Sequence, residues 1–370
     1  MMKPFTLHIP DAAIADLRER LARTRLPDEP PLPPWSTGTS VAYLKPLLDY
    51  WQNGFDWRAW EGKLNSFPQY TVPIRGIDLH VIHAPGKKPN AMPLLLSHGW
   101  PGSVFEFHKI IPLLTEHFTV IAPSLPGYTL SFKPGQPRFG VIEIADLFAE
   151  LMVTLGYDKF GAQGGDWGSF ITSVLGQRYP QRVTGIHINL LPVRRDPAML
   201  SNPNAEEQTY LAQLNNFLKE ETGYQWIQGT KPQTLAFGLT DSPAGLAAWI
   251  VEKFHAWTDN KGSPEDAVSR DEMLANISLY WFTGAIGSSF WPYYARMHGP
   301  WPIPDGETVT VPMGYAEFPR EILSPPRSLA ARTFADIRCW TRMEKGGHFA
   351  ALEQPEKLAH EVIEFFDALT

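Results

Sequence analysis

The stretch GAQGGDWGSF, residues 161–170, reads as a strand that breaks into a helix at a carboxylate. Gly164, Asp166 and Gly168 spell G-x-D-x-G. The same spacing with serine at its centre marks a sharp strand-to-helix turn that lifts a nucleophile out of a sheet. Small flanking residues suit that turn, and the N-terminus of the following helix keeps a carboxylate ionised near neutral pH. Two readings stand for Asp166: an exposed nucleophile, or an ordinary helix N-cap. The surrounding chain bears on the choice.

Working outward, PLLLSHG (93–99) is a short apolar run ending in a turn, as a buried parallel strand should be. FHKIIPLLTE follows with Phe107, Ile110, Ile111 and Leu114 at helical spacing, and Pro112 makes that helix start or bend there. FTVIAPSLPG is the next strand. IADLFAELMVTL carries Ile144, Leu147, Phe148, Leu151, Met152 and Leu155, the clearest helical stripe in the chain. KFGAQGGD then reads as strand, WGSFITSVLGQRY as helix and VTGIHINL as strand. This alternation predicts a parallel sheet with helices on both faces. Asp166 falls at its C-terminal edge, where ligand sites lie in such sheets.

Residues 191–299 break the alternation, with helices expected over 206–221, 244–256 and 271–285. VTVPMGYA (309–316) and IRCWTRM (337–343) return as strands, and PEKLAHEVIEFFDAL closes as a helix. Upstream, 11–25 and 41–60 read as two helices, LPDEPPLPPW (26–35) as an extended arm and IDLHVIHA (77–84) as a strand. His83 on that strand reads as a hydrogen-bonded core or edge histidine. The expected organisation is an α/β chain: an N-terminal arm over 1–90, a core over 91–190, an inserted helical cap over 191–299 and the rest of the core over 300–370.

Composition narrows the function. The net charge is −7 over 370 residues, and no cluster of Lys or Arg stands out, so nucleic acid is not an expected partner. A single cysteine, Cys339, excludes an intrachain disulfide and a thiolate metal cluster. The N-terminus carries no continuous apolar run, so neither a signal peptide nor a membrane anchor is expected; a soluble, cytoplasmic protein is. A homodimer is left open. No histidine–carboxylate pair has metal-site spacing, and neither Gly161–Gly165 nor Gly86-Lys87-Lys88 completes a nucleotide motif. No metal and no cofactor are expected.

Three further segments carry chemistry. SHGWPGS (97–103) follows the first wound strand, where a backbone oxyanion donor is normally found, although Pro-Gly is also a common turn. Trp100 and Trp167 would offer their backbone N–H groups to a developing oxyanion. A cis Trp100–Pro101 bond is compatible with this loop. EKGGHFAALEQPE (344–356) sets His348 on a loop after the last strand, placed to act as a general base. His98 is its rival, while His255 and His298 read as surface or packing residues. A histidine base needs an orienting carboxylate. GYAEFPREIL (314–323) offers both Glu317 and Glu321, and spacing alone does not choose between them.

Together HGWPGS, PSLPGY, GGDWGS, SPAGLAAWIVEKF, GYAEFPREIL and GGHFAALEQPE resemble the microsomal-type epoxide hydrolases, which include the juvenile hormone epoxide hydrolases. The likeness extends over nearly the whole chain, including FTLHIPDAAIADLRERL of the arm. It implies the α/β-hydrolase fold, with Asp166 as nucleophile, His348 as base and Glu321 as the acid that orients it. It also implies two cap tyrosines that hold the epoxide oxygen. These fall on Tyr224 in TGYQWIQ and on Tyr293 in SSFWPYYARM, or one residue on at Tyr294. Thr129-Leu130 stands where relatives carry Gly-Phe. The implied substrates are water and a small hydrophobic epoxide, with the rings of Trp167, Trp226 and Trp291 as candidate contacts. The rival readings are a haloalkane dehalogenase, which uses the same aspartyl ester, and a non-catalytic ligand-binding protein.

Overall fold

The computed structural model describes residues 2–194 and 202–369, so 195–201, the start of the expected cap, lie outside the described residues. The arm contributes β1 (Lys3–Pro4), α1 (Asp11–Ala22), α2 (Val41–Asn53), α3 (Trp57–Asn65), β2 (Gln69–Ile74) and β3 (Ile77–Ala84). The single helix expected over 41–60 is two. Gly54 ends α2, and the Asp56 side chain accepts from Ala59 N to start α3. The helix expected over 11–25 stops at Ala22.

The first part of the core holds β4 (Met92–Ser97), a 3-10 turn over Val104–His108, α4 (Ile110–Leu114), β5 (Phe118–Pro123), α5 (Val141–Thr154), β6 (Phe160–Gly164), α6 (Trp167–Arg178) and β7 (Val183–Ile188). The cap is helical: α7 (Ala205–Glu220), α8 (Gly223–Thr230), α9 (Pro232–Asp241), α10 (Pro243–Trp257), α11 (Arg270–Thr283), α12 (Ile286–Ser289) and α13 (Trp291–His298). The core resumes with β8 (Met313–Glu317), α14 (Arg327–Ala330), β9 (Ile337–Arg342), α15 (Ala350–Glu353) and α16 (Pro355–Asp367). The strand expected from Val309 begins only at Met313. Val309 makes an isolated bridge to Phe334, and Pro312 has no N–H to give a ladder.

One nine-stranded sheet runs in the order β1-β2-β3-β5-β4-β6-β7-β8-β9. The arm strands join it antiparallel, and β5 through β9 are parallel. The sheet therefore extends into the arm rather than starting at residue 91. Strand order reverses around β4, so the loops after β4 and β6 open into one crevice at their C-terminal ends. Leu94, Leu95 and Leu96 of β4 are fully buried, as are Ile144, Leu147, Phe148, Leu151 and Met152 of α5. Truncating Phe148 to alanine would cost about 3–5 kcal/mol at such a site. Among the described residues no helix is long and apolar enough to cross a membrane.

Candidate active site

Asp166 stands between β6 and α6 with φ 48° and ψ −129°, a conformation an L-residue adopts at a cost of about 1–3 kcal/mol. The neighbouring glycine explains the motif's spacing. A Cβ on Gly168 would lie 1.9 Å from the carbonyl oxygen of Ser97, so α6 packs on β4 only without a side chain there. Asp166 occupies the N-cap position, yet its side chain makes no cap bond. Instead Trp100 N–H donates to Asp166 Oδ1 at 2.8 Å. Trp167 opens α6, so its N–H is one of the helix's orphan donors, beside the same carboxylate.

The Trp100–Pro101 bond is cis. The cap holds this loop from the far side: Asn276 Nδ2 donates to Pro101 O at 2.8 Å, Tyr280 OH to Gly102 O at 2.6 Å, and Ser103 OH to Asn276 Oδ1 at 2.7 Å. Each such bond is worth about 0.5–1.5 kcal/mol net. None was visible in the sequence, because the residues they join lie 173 to 178 positions apart in the chain. His98 is occupied in the same loop. Its Nε2 accepts from Leu125 N–H at 3.0 Å and its Nδ1 pairs with Gly99 O at 3.1 Å, and burial pushes its pKa down to about 4. It is a neutral structural histidine.

His348 Nε2 lies 3.3 Å from Asp166 Oδ2, and its Nδ1 lies 2.6 Å from Glu321 Oε1. Of the two glutamates, Glu321 is the one beside His348. Glu321 is buried against His348 and also accepts from Ile322 N–H at 2.7 Å. Glu317 instead accepts from Trp340 Nε1 at 2.9 Å and pairs with Arg342. The His348 backbone N–H donates to Trp257 O at 2.8 Å, so the end of α10 fixes the histidine loop. Burial by itself would push the imidazole's pKa down. The charges and hydrogen bonds of Glu321 and Asp166 outweigh burial and raise it to about 10, so the resting group is an imidazolium.

Asp166 also borders a cavity of about 450 Å³. Tyr224 of α8 and Tyr293 of α13 line it, with ring centroids 5.7 Å apart. The Trp100 ring stacks on Tyr224 at 5.5 Å and meets Tyr293 edge-on at 5.8 Å, and Trp167 meets Tyr293 at 4.8 Å. Burial, helped by Tyr224 and Asp166, holds the Tyr293 phenol well above the ordinary range, so it stays protonated. Tyr294 faces elsewhere, stacked between Trp291 and His298 at 5.0 and 4.0 Å. The loop holding Thr129-Leu130 is buried at Thr129, whose φ of 32° lies in the region that favours glycine.

Trp226 and Trp291 do not line this cavity. Trp226 is 61% exposed, and Trp291 packs on Tyr294. Both sit two residues from a cavity tyrosine on a helix, which turns them about 200° away from it. Arg296 and Met297, three and four residues after Tyr293, do line it. A helical wheel drawn from Tyr293 would have found them. Phe170, Leu190 and Trp301 complete the apolar wall, and Trp301 is flanked by the guanidinium groups of Arg194 and Arg296 at 5.5 and 4.3 Å.

A sequence pattern described as the epoxide hydrolase N terminus matches residues 2–107, and one for the alpha/beta hydrolase fold matches 92–236. Epoxide hydrolase 1 of Oryctolagus cuniculus is 38% identical, covering 98% of this chain and 88% of its own. The crystal structure of juvenile hormone epoxide hydrolase from the silkworm Bombyx mori superposes with a TM-score of 0.89 at 32% identity, covering 100% of this chain and 95% of that one. The Aspergillus niger epoxide hydrolase superposes with a TM-score of 0.88 at 31% identity, covering 100% and 97%. With this ancestry and this α/β-hydrolase fold, the chain belongs to the epoxide hydrolases.

Proposed function

We propose that the protein converts epoxides to vicinal diols in two steps through an ester on Asp166. In the first step an Asp166 oxygen attacks an oxirane carbon and the C–O bond of the ring breaks. The released oxygen takes a proton from the phenol of Tyr224 or Tyr293, leaving a hydroxyalkyl ester and a phenolate. A serine at this position would form an ether, which water cleaves poorly; the ester carbonyl gives water a workable target.

Esterification also removes the Asp166 charge, one of the causes that raise His348. The imidazolium then sheds its proton, which restores the phenol. Neutral His348, oriented by Glu321, takes a proton from water as water attacks Cγ of Asp166. The oxyanion rests against the Trp100 and Trp167 N–H groups. Collapse expels the diol, which takes the proton back from His348. The carboxylic acid left on Asp166 returns its proton to the imidazole, and the resting ion pair re-forms.

The observation that supports this reading is the doubly held carboxylate. Asp166 Oδ1 accepts from Trp100 N–H at 2.8 Å, and Oδ2 lies 3.3 Å from His348 Nε2. The aromatic wall favours a small hydrophobic epoxide. The test is a single turnover in ¹⁸O water with enzyme in excess. Label in the peptide bearing Asp166, and unlabelled oxygen in the first diol, are expected. Diol oxygen taken straight from the solvent would reject the ester. A homodimer belongs to the same proposal, supported by the exposed apolar surface of Trp226 and Phe237. Light scattering reads the mass, and a monomer at working concentration rejects it.

A further inference from the structure

Asp166 borders a second and much smaller space, about 20 Å³, which shares no other residue with the aromatic cavity. That volume holds roughly one water, provided it meets two to four polar partners. Three polar side chains besides Asp166 and Gln163 line it: His348, Asn189 and Glu106. The two-step reaction employs His348 and leaves Glu106 and Asn189 without a task.

Glu106 sits in the turn Val104–His108 that follows the oxyanion loop. Among the described residues its carboxyl makes no hydrogen bond and no ion pair. Its Oε2 rests on the backbone of Gly102, where a Cβ would lie only 2.1 Å away. The bare glycine therefore makes room for the carboxyl at the chamber. Asn189 Oδ1 accepts from Gln163 Nε2 at 2.9 Å, which turns its Nδ2 toward other partners. Burial pushes the Glu106 pKa up to about 8, with the Asp166 charge adding and the His348 charge opposing. Glu106 is partly buried and faces the chamber beside His348 and Asn189. A carboxyl on that wall, unpaired among the described residues, suits a small polar ligand such as water.

We propose that Glu106, with Asn189, positions the hydrolytic water in this chamber, so that water reaches Cγ of Asp166 by a route separate from the epoxide's. The water donates one hydrogen to His348 Nε2, as the base, and the other to a Glu106 carboxyl oxygen. Asn189 Nδ2 donates to the water oxygen. Glu106 accepts a hydrogen bond and exchanges no proton, so the proton balance of the reaction is unchanged. With both hydrogens engaged, a lone pair of the water is aimed at the ester carbon. This inference rests on the ester mechanism above.

The test separates the two half-reactions by rapid quench, with styrene oxide as the probe and mass spectrometry of the peptide bearing Asp166. In Glu106→Met, ester hydrolysis is expected to fall by about 30-fold or more, since a misplacement of about 1 Å at a reacting centre costs up to about 100-fold. Ester formation stays within about threefold of the unsubstituted enzyme, and the ester accumulates. Glu106→Gln, which keeps a carbonyl acceptor, recovers most of the lost hydrolysis. Should Glu106→Met fail to fold, Glu106→Asp withdraws the carboxyl by one methylene and is expected to slow hydrolysis about fivefold with ester formation unchanged. Equal slowing of both half-reactions, or unchanged hydrolysis, overturns the assignment. If the unsubstituted enzyme itself forms no ester, the two-step mechanism falls first, and that result is distinct from either outcome in the Glu106 variants.

Discussion

At the sheet edge Asp166, Trp100 and His348 are held by backbone geometry and short hydrogen bonds, whereas on the cap Tyr224 and Tyr293 are held by ring packing. Asp166 keeps a positive φ because α6 and β4 close on it, with Gly168 leaving no room for a Cβ. His348 is fixed at three atoms, by Glu321, Asp166 and Trp257. The tyrosine rings pack on Trp100, Trp167 and Trp257, stacked, edge-on or tilted, at centroid distances of 4.8 to 5.8 Å. On the proposed mechanism, the difference follows from the chemistry each wall would perform. The ester carbon must be reached along one line, so its neighbours are pinned. A phenol donating to an oxirane oxygen would tolerate a range of substrate shapes, which suits helices that meet the site mainly through packed rings, although Tyr224 OH also accepts from Gln225 Nε2 at 2.8 Å.

Breaking the pinned wall should have the largest effect. His348→Gln is expected to lower kcat by about 10³-fold while the Asp166 ester still forms, since loss of a general base costs about 10²–10⁴. Trapping the ester by quench and digestion checks this, and loss of ester formation would contradict it. The same wall sets a pH dependence. His348's pKa in the folded free enzyme is raised from its ordinary 6.5 to about 10. The stabilising interactions of the imidazolium with Glu321 and Asp166 are therefore fully present below about pH 6.5 and are lost as pH rises through about 10. In the ester the Asp166 charge is gone while Glu321 remains, so the ester-hydrolysis rate should rise with pH and level off below 10. An inflection that stays near 10 in pre-steady-state hydrolysis would show that Asp166 does not raise it.

Breaking the packed wall should cost less. Tyr293→Phe keeps the ring and its contacts while removing the proton. Ester formation should slow by about 10²-fold, the scale of losing one charge-stabilising donor, with hydrolysis unchanged. Similar slowing in Tyr294→Phe would contradict the geometry of α13. Smallest of all, Trp226→Ala and Trp291→Ala should change kcat/KM by no more than about twofold, because surface substitutions away from a site stay near ±0.5 kcal/mol. A large loss in either would return those rings to the cavity.

The sequence was most legible where spacing carries a backbone requirement. The G-x-D-x-G turn, the loop at Trp100 and the glycines before His348 are local patterns, and they lie where the strand–helix alternation puts them. The stripe of α5 was legible for the same reason, since period 3.6 is written in the chain. The choice of Glu321 over Glu317 needed the likeness to a family, because both follow the same strand and only the fold turns one toward His348. Trp226 and Trp291 misled because composition says that a cap is aromatic and not which face of a helix meets the cavity.

By itself, then, the sequence determined the α/β wind, the strand-to-helix turn at Asp166 and the histidine loop, since each depends on residues close in the chain. Only the tertiary structure decided that α11 clamps the loop after Trp100 through Asn276 and Tyr280, and that Trp257 anchors His348. It alone set Glu106 over Gly102 at a chamber bordered by Asp166 and His348. These contacts join segments far apart in sequence, and packing against the whole sheet and cap fixes their geometry. No local period or motif encodes a meeting of that kind.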